Sequence, residues 1–268
     1  MIPFDASPLT VMAIQAALRA GELLRKGFGT DYEVSSKPGI QNLVTKYDKE
    51  AESCIISCIK ERFSDHSFFA EESGASNTQS SSVLWVIDPL DGTVNFVHNI
   101  PVFTVSIAAS VDKKIVSGVV YQPISQELFI AEATKGAYLN GRRLFVSKTK
   151  SFEEAIMATG FPYNVHEDPQ HCIERFAEMT RKGIPIRRLG SAALDLSYVA
   201  AGKFDAYWEL SLSAWDIAAG KLLVEEAGGR VTQYNGHEHT VFAQAPILAT
   251  NNLLHEKMVH ELTKPMGI

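Results

Sequence analysis

The chain has 268 residues, 46% hydrophobic and 21% charged, which is the make-up of an ordinary globular protein long enough for one large core or two closely joined lobes. A net charge of −6 argues against non-specific nucleic-acid binding, which calls for a basic footprint. No signal peptide is expected at Met1-Ile2-Pro3-Phe4-Asp5, no apolar run reaches the ~18 residues of a membrane span, and three cysteines without a Cys-x-x-Cys pair predict a reducing, cytoplasmic setting.

Ser7-Pro8 reads as an N-cap followed by Pro at the first helical position. From there Val11, Ile14, Ala17, Leu18, Gly21 and Leu24 recur at three- and four-residue spacing, predicting a helix that ends near Gly27 to Gly29. A polar loop, Lys37 to Gln41, leads into Asn42-Leu43-Val44-Thr45-Lys46-Tyr47-Asp48. A second helix is predicted from Asp48 to Phe63, burying Ala51, Cys54, Ile55, Cys58, Ile59 and Phe63. Its two cysteines read as small core hydrophobes, not metal ligands. Phe68-Phe69-Ala70 is a short strand ending in Glu71-Glu72-Ser73, and Ser73 to Ser82 reads as a surface loop.

Leu84-Trp85-Val86-Ile87 is a continuous apolar run, predicted as a buried strand that breaks at Asp88-Pro89-Leu90-Asp91-Gly92-Thr93. Two carboxylates three residues apart, with Pro between and Gly after, describe a tight turn that aims both acids at one point. Carboxylates held that close repel, and a bound cation relieves the repulsion; oxygen-only donors favour Mg²⁺ over Zn²⁺. A helical turn starting at Gly92-Thr93 would offer backbone N–H groups to an anion such as phosphate. Taken alone, the string reads first as a solvated turn, because Asp, Pro and Gly are common turn formers.

Strands follow at Val102 to Val111, Ile115 to Tyr121, Glu127 to Glu132 and Ala137 to Leu139, with local turns that imply a mostly antiparallel sheet. Beyond Ser147 strands and helices alternate, predicting a second sheet flanked by helices. Its strands are Ala155 to Thr159, Pro185 to Leu189, Ala206 to Leu210, Arg230 to Gln233 and Ile247 to Thr250; its helices are Gln170 to Lys182, Ser191 to Ala201, Ala214 to Ala227 and one after Asn252. The expected division is an N-terminal lobe over 1–147 and a C-terminal lobe over 148–268, forming one catalytic unit. Asp48, Glu71, the Asp88/Asp91 pair and Asp216 all fall where a strand ends or a helix begins. Singly each reads as a first-turn or solvated acid; together they suggest one oxygen-rich site.

With these blocks in order, the sequence resembles the inositol monophosphatase family of lithium-sensitive, Mg²⁺-dependent phosphatases. The matching stretches are Leu43 to Asp48, Glu71-Glu72-Ser73, Trp85 to Phe96, Gly190-Ser191-Ala192-Ala193, Trp215-Asp216-Ile217-Ala218-Ala219-Gly220 and Glu225 to Gly229. The string Asp-Pro-x-Asp-Gly-Thr-x-Asn-Phe is the most specific of them. The resemblance implies a layered αβαβα sugar-phosphatase fold and a homodimer. It implies one Mg²⁺ on Glu71, Asp88 and the Leu90 carbonyl, a second on Asp88, Asp91 and Asp216, and a third, weaker ion near Glu71. It also implies that Thr93 and Asp48, with Glu71, activate the attacking water, and that Gly92 and Thr93 N–H groups bind phosphate.

The family's inositol-ring contacts map onto Asp91, Gly190, Ser191, Ala192 and Glu209, so inositol 1-phosphate is the expected substrate. Arg187-Arg188 reads as a substrate or interface contact or, equally, as surface charge. One departure matters: Asn42 stands where the family often has Asp, which removes a charge beside the third ion. Asn95-Phe96 favours the inositol branch over the 3′-phosphoadenosine 5′-phosphate branch. Fructose 1,6-bisphosphate and histidinol phosphate remain alternative substrates on the same scaffold. Some bacterial members of the family act with RNA polymerase or RNA, so a regulatory binding protein is the second reading, although the acidic charge disfavours direct RNA contact.

Overall fold

The computed structural model describes residues 4–36, 43–76 and 81–265. Helix α1 (Pro8–Gly27) begins where Ser7 accepts from the Thr10 N–H. Short strands β1 (Val34–Ser36) and β2 (Leu43–Thr45) pair antiparallel and lead into α2 (Lys46–Lys60). The helix starts two residues before the predicted Asp48, because Thr45 caps it. The polar loop from Lys37 and the Asn42 departure lie outside the described residues.

Next come β3 (Ser67–Ala70), β4 (Gly74–Ser76), β5 (Val83–Asp91), the short α3 (Thr93–Val97), β6 (Thr104–Val111), β7 (Lys114–Gln122), β8 (Glu127–Glu132), β9 (Gly136–Leu139) and β10 (Arg142–Arg143). They form one eight-stranded sheet in the order β10-β9-β8-β7-β6-β5-β3-β4. Every pairing in it is antiparallel except β3 with β5. Strand β4 occupies part of the stretch read as loop; it is a polar edge strand with no alternation to reveal it.

The rest is β11 (Met157–Thr159), α4 (Cys172–Arg181), β12 (Ile186–Arg187), α5 (Ala192–Ala200), β13 (Ala206–Glu209), α6 (Ala214–Glu226), β14 (Arg230–Thr232), β15 (Ile247–Thr250) and α7 (His255–Thr263). The second sheet runs β12-β11-β13-β15-β14, parallel around β11 and antiparallel around β15.

Side-chain parity on the central strands builds the layers. Trp85, Ile87, Val105, Ile107, Ala109 and Val119 point into a core with α1 and α2, while Val86, Ala108 and Val120 point into another with α5 and α6. That second core continues into Tyr207, Ile247 and Ala249 of the five-stranded sheet, whose far face packs Met179 of α4 and Met258 and Leu262 of α7. The order is therefore helix, sheet, helix, sheet, helix, as expected. Strands buried on both faces read as unbroken apolar runs, which is why β5 and β6 were legible. Helix α6 sits directly on β7: a Cβ at Gly118 would come within 2.9 Å of the Ala219 Cα. The same parity puts Asp88 on the face of β5 that looks toward α6, the helix carrying Asp216.

Candidate active site

The predicted tight turn at Asp88 is instead an irregular continuation of β5. Asp88 pairs with Ser106 and Asp91 with Thr104, and the register slips between them. Such a bulge re-aims side chains without ending the strand. The Leu90 N–H donates to Asp88 Oδ1 at 3.0 Å. The chain then turns through Gly92, whose φ of 99° belongs to the left-handed region, into α3. A Cβ there would meet the Val102 carbonyl at 3.0 Å and that of Gly190 at 3.1 Å, so both conformation and space demand glycine. The helical start expected at Gly92-Thr93 is present.

Two acids are held by the spacing of a capping box. Asp48 Oδ2 accepts from the Thr45 N–H and hydroxyl, each at 2.7 Å, and Asp216 Oδ2 accepts from the Ser213 N–H at 2.6 Å. Each keeps its second oxygen for other work. Asp48 Oδ1 accepts from Thr93 Oγ1 at 2.9 Å, and the same hydroxyl lies 3.0 Å from the Leu90 carbonyl. Glu71 follows β3, and its N–H donates to Ile87 O. Its neighbour Glu72 donates its N–H to Glu52 Oε2 at 2.8 Å, a buried carboxylate on α2.

The C-terminal half closes on the same place. Asp91 Oδ2 accepts from Ser191 Oγ and from the Ala193 N–H, both at 2.7 Å, and Ser191 caps α5. Asn95 Nδ2 donates to Val102 O and Leu189 O at 2.7 and 2.8 Å, holding the Gly190 turn against α3. Glu209 ends β13 and accepts the Tyr207 hydroxyl.

Charge dominates this region. Burial, then Glu71, Asp91 and Asp216, push Asp88 well above the usual carboxylate range. Burial, then Asp91, does the same to Asp216. Burial lifts Asp91 to about 6 against the opposing bonds from Ser191 and Ala193, and lifts Glu209 to about 7 against the Tyr207 bond. Asp48 is also raised, first by burial. Tyr163, on the loop before α4, keeps 57% of its surface exposed, yet local burial and then Glu71, Asp216, Asp91 and Asp88 push its phenol up to about 12, in the field of all four acids.

Glu71, Asp88, Asp91 and Asp216 thus share one neighbourhood, and the Thr93 hydroxyl, bonded to Asp48 and 3.0 Å from the Leu90 carbonyl, lies beside it. The acids do not close into a cage: among the described residues no three His, Cys, Asp or Glu side chains form a ready metal-binding group. Ala192 sits beside Asp91, whose charge its N–H stabilises, and the Asp91 charge in turn raises Glu209. Thr45 and Asn95 lie in the matching stretches but carry no site role in the sequence reading, and Glu52, Tyr163 and Tyr207 are absent from it. The Thr45-x-x-Asp48 and Ser213-x-x-Asp216 spacings are capping signals visible in the sequence; nothing local marks Glu52, Tyr163 or Tyr207.

Comparison with known proteins agrees with this architecture. The model of the inositol monophosphatase family matches residues 5–266. The chain is 41% identical over 249 residues to "Nus factor SuhB" of Pseudomonas aeruginosa, covering 91% of this chain and 92% of that one. It is 39% identical over 253 residues to "Inositol-1-monophosphatase" of Caulobacter vibrioides, covering 93% and 98%. The crystal structure of extragenic suppressor protein suhB from Bartonella henselae superposes with a TM-score of 0.92 at 39% identity, covering 97% of this chain and 100% of that one. The chain belongs to the inositol monophosphatase family.

Proposed function

We propose that this protein is a Mg²⁺-dependent phosphomonoester hydrolase acting on inositol 1-phosphate, working as a cytoplasmic homodimer. One observation carries the reading: four acids from β3's end, β5 and α6 lie in one another's field, next to a hydroxyl already bonded to a buried carboxylate. The donor set fits a hard divalent ion. It is all oxygen, and the buried acids repel one another. Glu71, Asp88 and the Leu90 carbonyl would hold one ion, and Asp88, Asp91 and Asp216 a second. When bound, Mg²⁺ supplies positive charge that offsets the charge of the phosphoryl group.

The chain's own residues do the rest. Thr93 donates to Asp48, so its oxygen lone pairs are free to take a proton from the attacking water while its own proton passes to Asp48. N–H groups of Gly92 and Thr93, in the first turn of α3 where no intrahelical acceptor exists, orient the phosphate oxygens. Ser191 and the Ala193 N–H fix Asp91, and with Gly190 and Ala192 they shape the wall on which the alcohol rests. Glu209, an acceptor when ionised, reads vicinal hydroxyls of the polyol. The unpaired cysteines Cys54, Cys58 and Cys172 accord with a reducing compartment, and among the described residues no helix is long and apolar enough to cross a membrane.

A second reading, a regulatory protein acting through a partner, is favoured by the name "Nus factor" carried by a relative 41% identical. Phosphate release from inositol 1-phosphate, fructose 1,6-bisphosphate, histidinol phosphate and 3′-phosphoadenosine 5′-phosphate, with and without Li⁺, tests the first reading. A dominant lithium-sensitive rate on inositol 1-phosphate supports it. No release from any ester, with co-purification of RNA polymerase or RNA, supports the second.

A further inference from the structure

Glu209 does not stand alone at the end of β13. Tyr207, two residues earlier on the same face, is fully buried, and its hydroxyl donates to Glu209 Oε2. A buried phenol needs an acceptor, and here the acceptor is the carboxylate proposed to read the substrate. On the other side lies Gly160, just past β11, the strand paired with β13. A Cβ at Gly160 would overlap the Glu209 carboxyl group at both oxygens. Gly160 has no positive φ, so its glycine answers to space and not to backbone conformation. Gly160 leads into Phe161, on whose ring the Arg188 guanidinium lies 5.4 Å from the centroid, and Arg188 in turn faces Glu209 by charge. The carboxylate is therefore gripped at Oε2, which leaves Oε1 to accept from a ligand hydroxyl.

We propose that Tyr207 and Gly160 are positioning residues that aim Glu209 at the alcohol half of the substrate and so set the preference for a polyol phosphate over a simple ester. This rests on the reading of Glu209 given above. Neither residue is among those proposed to bind the phosphoryl group. Their effect falls on discrimination between alcohols, not on the phosphoryl chemistry shared by all esters. The Tyr207→Phe change removes only the bond to Oε2. In Gly160→Ala the added methyl meets the movable end of a side chain, so the carboxylate swings away and the fold is kept.

The test measures kcat and KM for inositol 1-phosphate and for p-nitrophenyl phosphate in wild type, Tyr207→Phe, Gly160→Ala, Glu209→Gln and the double variant Tyr207→Phe/Glu209→Gln, with thermal melting as a check on folding. Each single variant is expected to lose about tenfold more kcat/KM on inositol 1-phosphate than on the aryl ester, the effect of one lost hydrogen bond, and to lose it mainly through KM. The double variant is expected to add little to Glu209→Gln alone, because both changes disable one device. Equal losses on both esters, or no loss on inositol 1-phosphate, in variants that melt like wild type would overturn the clamp while leaving the phosphatase reading intact. A wild type that does not itself distinguish the two esters would overturn the polyol reading and the clamp with it. If Tyr207→Phe melts early, Gly160→Ala alone decides between these outcomes.

Discussion

Thr93 and Asp48, 45 residues apart in sequence, are joined by a 2.9 Å hydrogen bond from a hydroxyl on a five-residue helix to a carboxylate that is 1% exposed. The other oxygen of Asp48 is already held by Thr45, so the carboxylate cannot turn away. In the proposed mechanism this pair holds a proton at a fixed point beside the acids of β5. Thr93→Ala should lower kcat by about a hundredfold or more, the usual worth of positioned proton transfer, with little change in melting temperature because Thr93 is only half-buried. A kcat within threefold of wild type would remove Thr93 from the chemistry.

Asp88 is 2% exposed and faces Glu71, Asp91 and Asp216, so its charge costs stability when no cation is bound. The isosteric Asp88→Asn should abolish turnover yet raise the melting temperature of the chelator-treated protein by several degrees. In a chain this long roughly 1 kcal/mol corresponds to about 2–4 °C. Calorimetry in EDTA checks this, and a lower melting temperature would mean that the acids are not under mutual strain.

Gly92 occupies a left-handed conformation with two carbonyl groups near the position a Cβ would take. Gly92→Ala should therefore cost about 1–3 kcal/mol, from backbone strain, and displace α3 from the acids. Urea unfolding measures the first effect and the loss of phosphate release the second. Unchanged stability would show that the turn tolerates a side chain.

His255 makes a different kind of prediction. It is fully buried, with Nε2 2.9 Å from Thr232 Oγ1 and Nδ1 2.9 Å from Thr250 Oγ1, and burial, then the Arg230 charge, holds it down at about 4. An unfolded histidine titrates near 6.5, so between about pH 4 and 6.5 the unfolded chain binds the extra proton. Stability from this group is complete above that window and is lost as pH falls through it. The unfolding free energy of His255→Gln should fall less steeply from pH 7 to 5 than that of wild type. Parallel slopes would show that the buried ring does not titrate in this way.

How much of this could be read beforehand varied with the physics. The apolar runs of β5 and β6, buried on both faces, announced themselves, and so did the three-and-four spacing of α1. The polar edge strands β1, β4 and β10 did not, because what makes them strands is pairing with a neighbour and not their own side chains. At the site, Asp88 and Asp91 were conspicuous, yet the bulge that aims them needed β6 to define its register. Asp48 and Asp216 were readable as first-turn acids. Glu52 and Tyr207 were not, and Asn95 was legible as part of a motif but not as the clamp on Leu189, since each owes its place to a contact made by the tertiary fold.

The most direct measurement is phosphate release from inositol 1-phosphate by wild-type protein with Mg²⁺, after EDTA, and after Mg²⁺ is restored, alongside Asp88→Asn. Turnover is expected to disappear with EDTA, return with Mg²⁺ and be absent from the variant throughout. Turnover that survives chelation, or an Asp88→Asn protein that hydrolyses the ester at the wild-type rate, would contradict the proposed function.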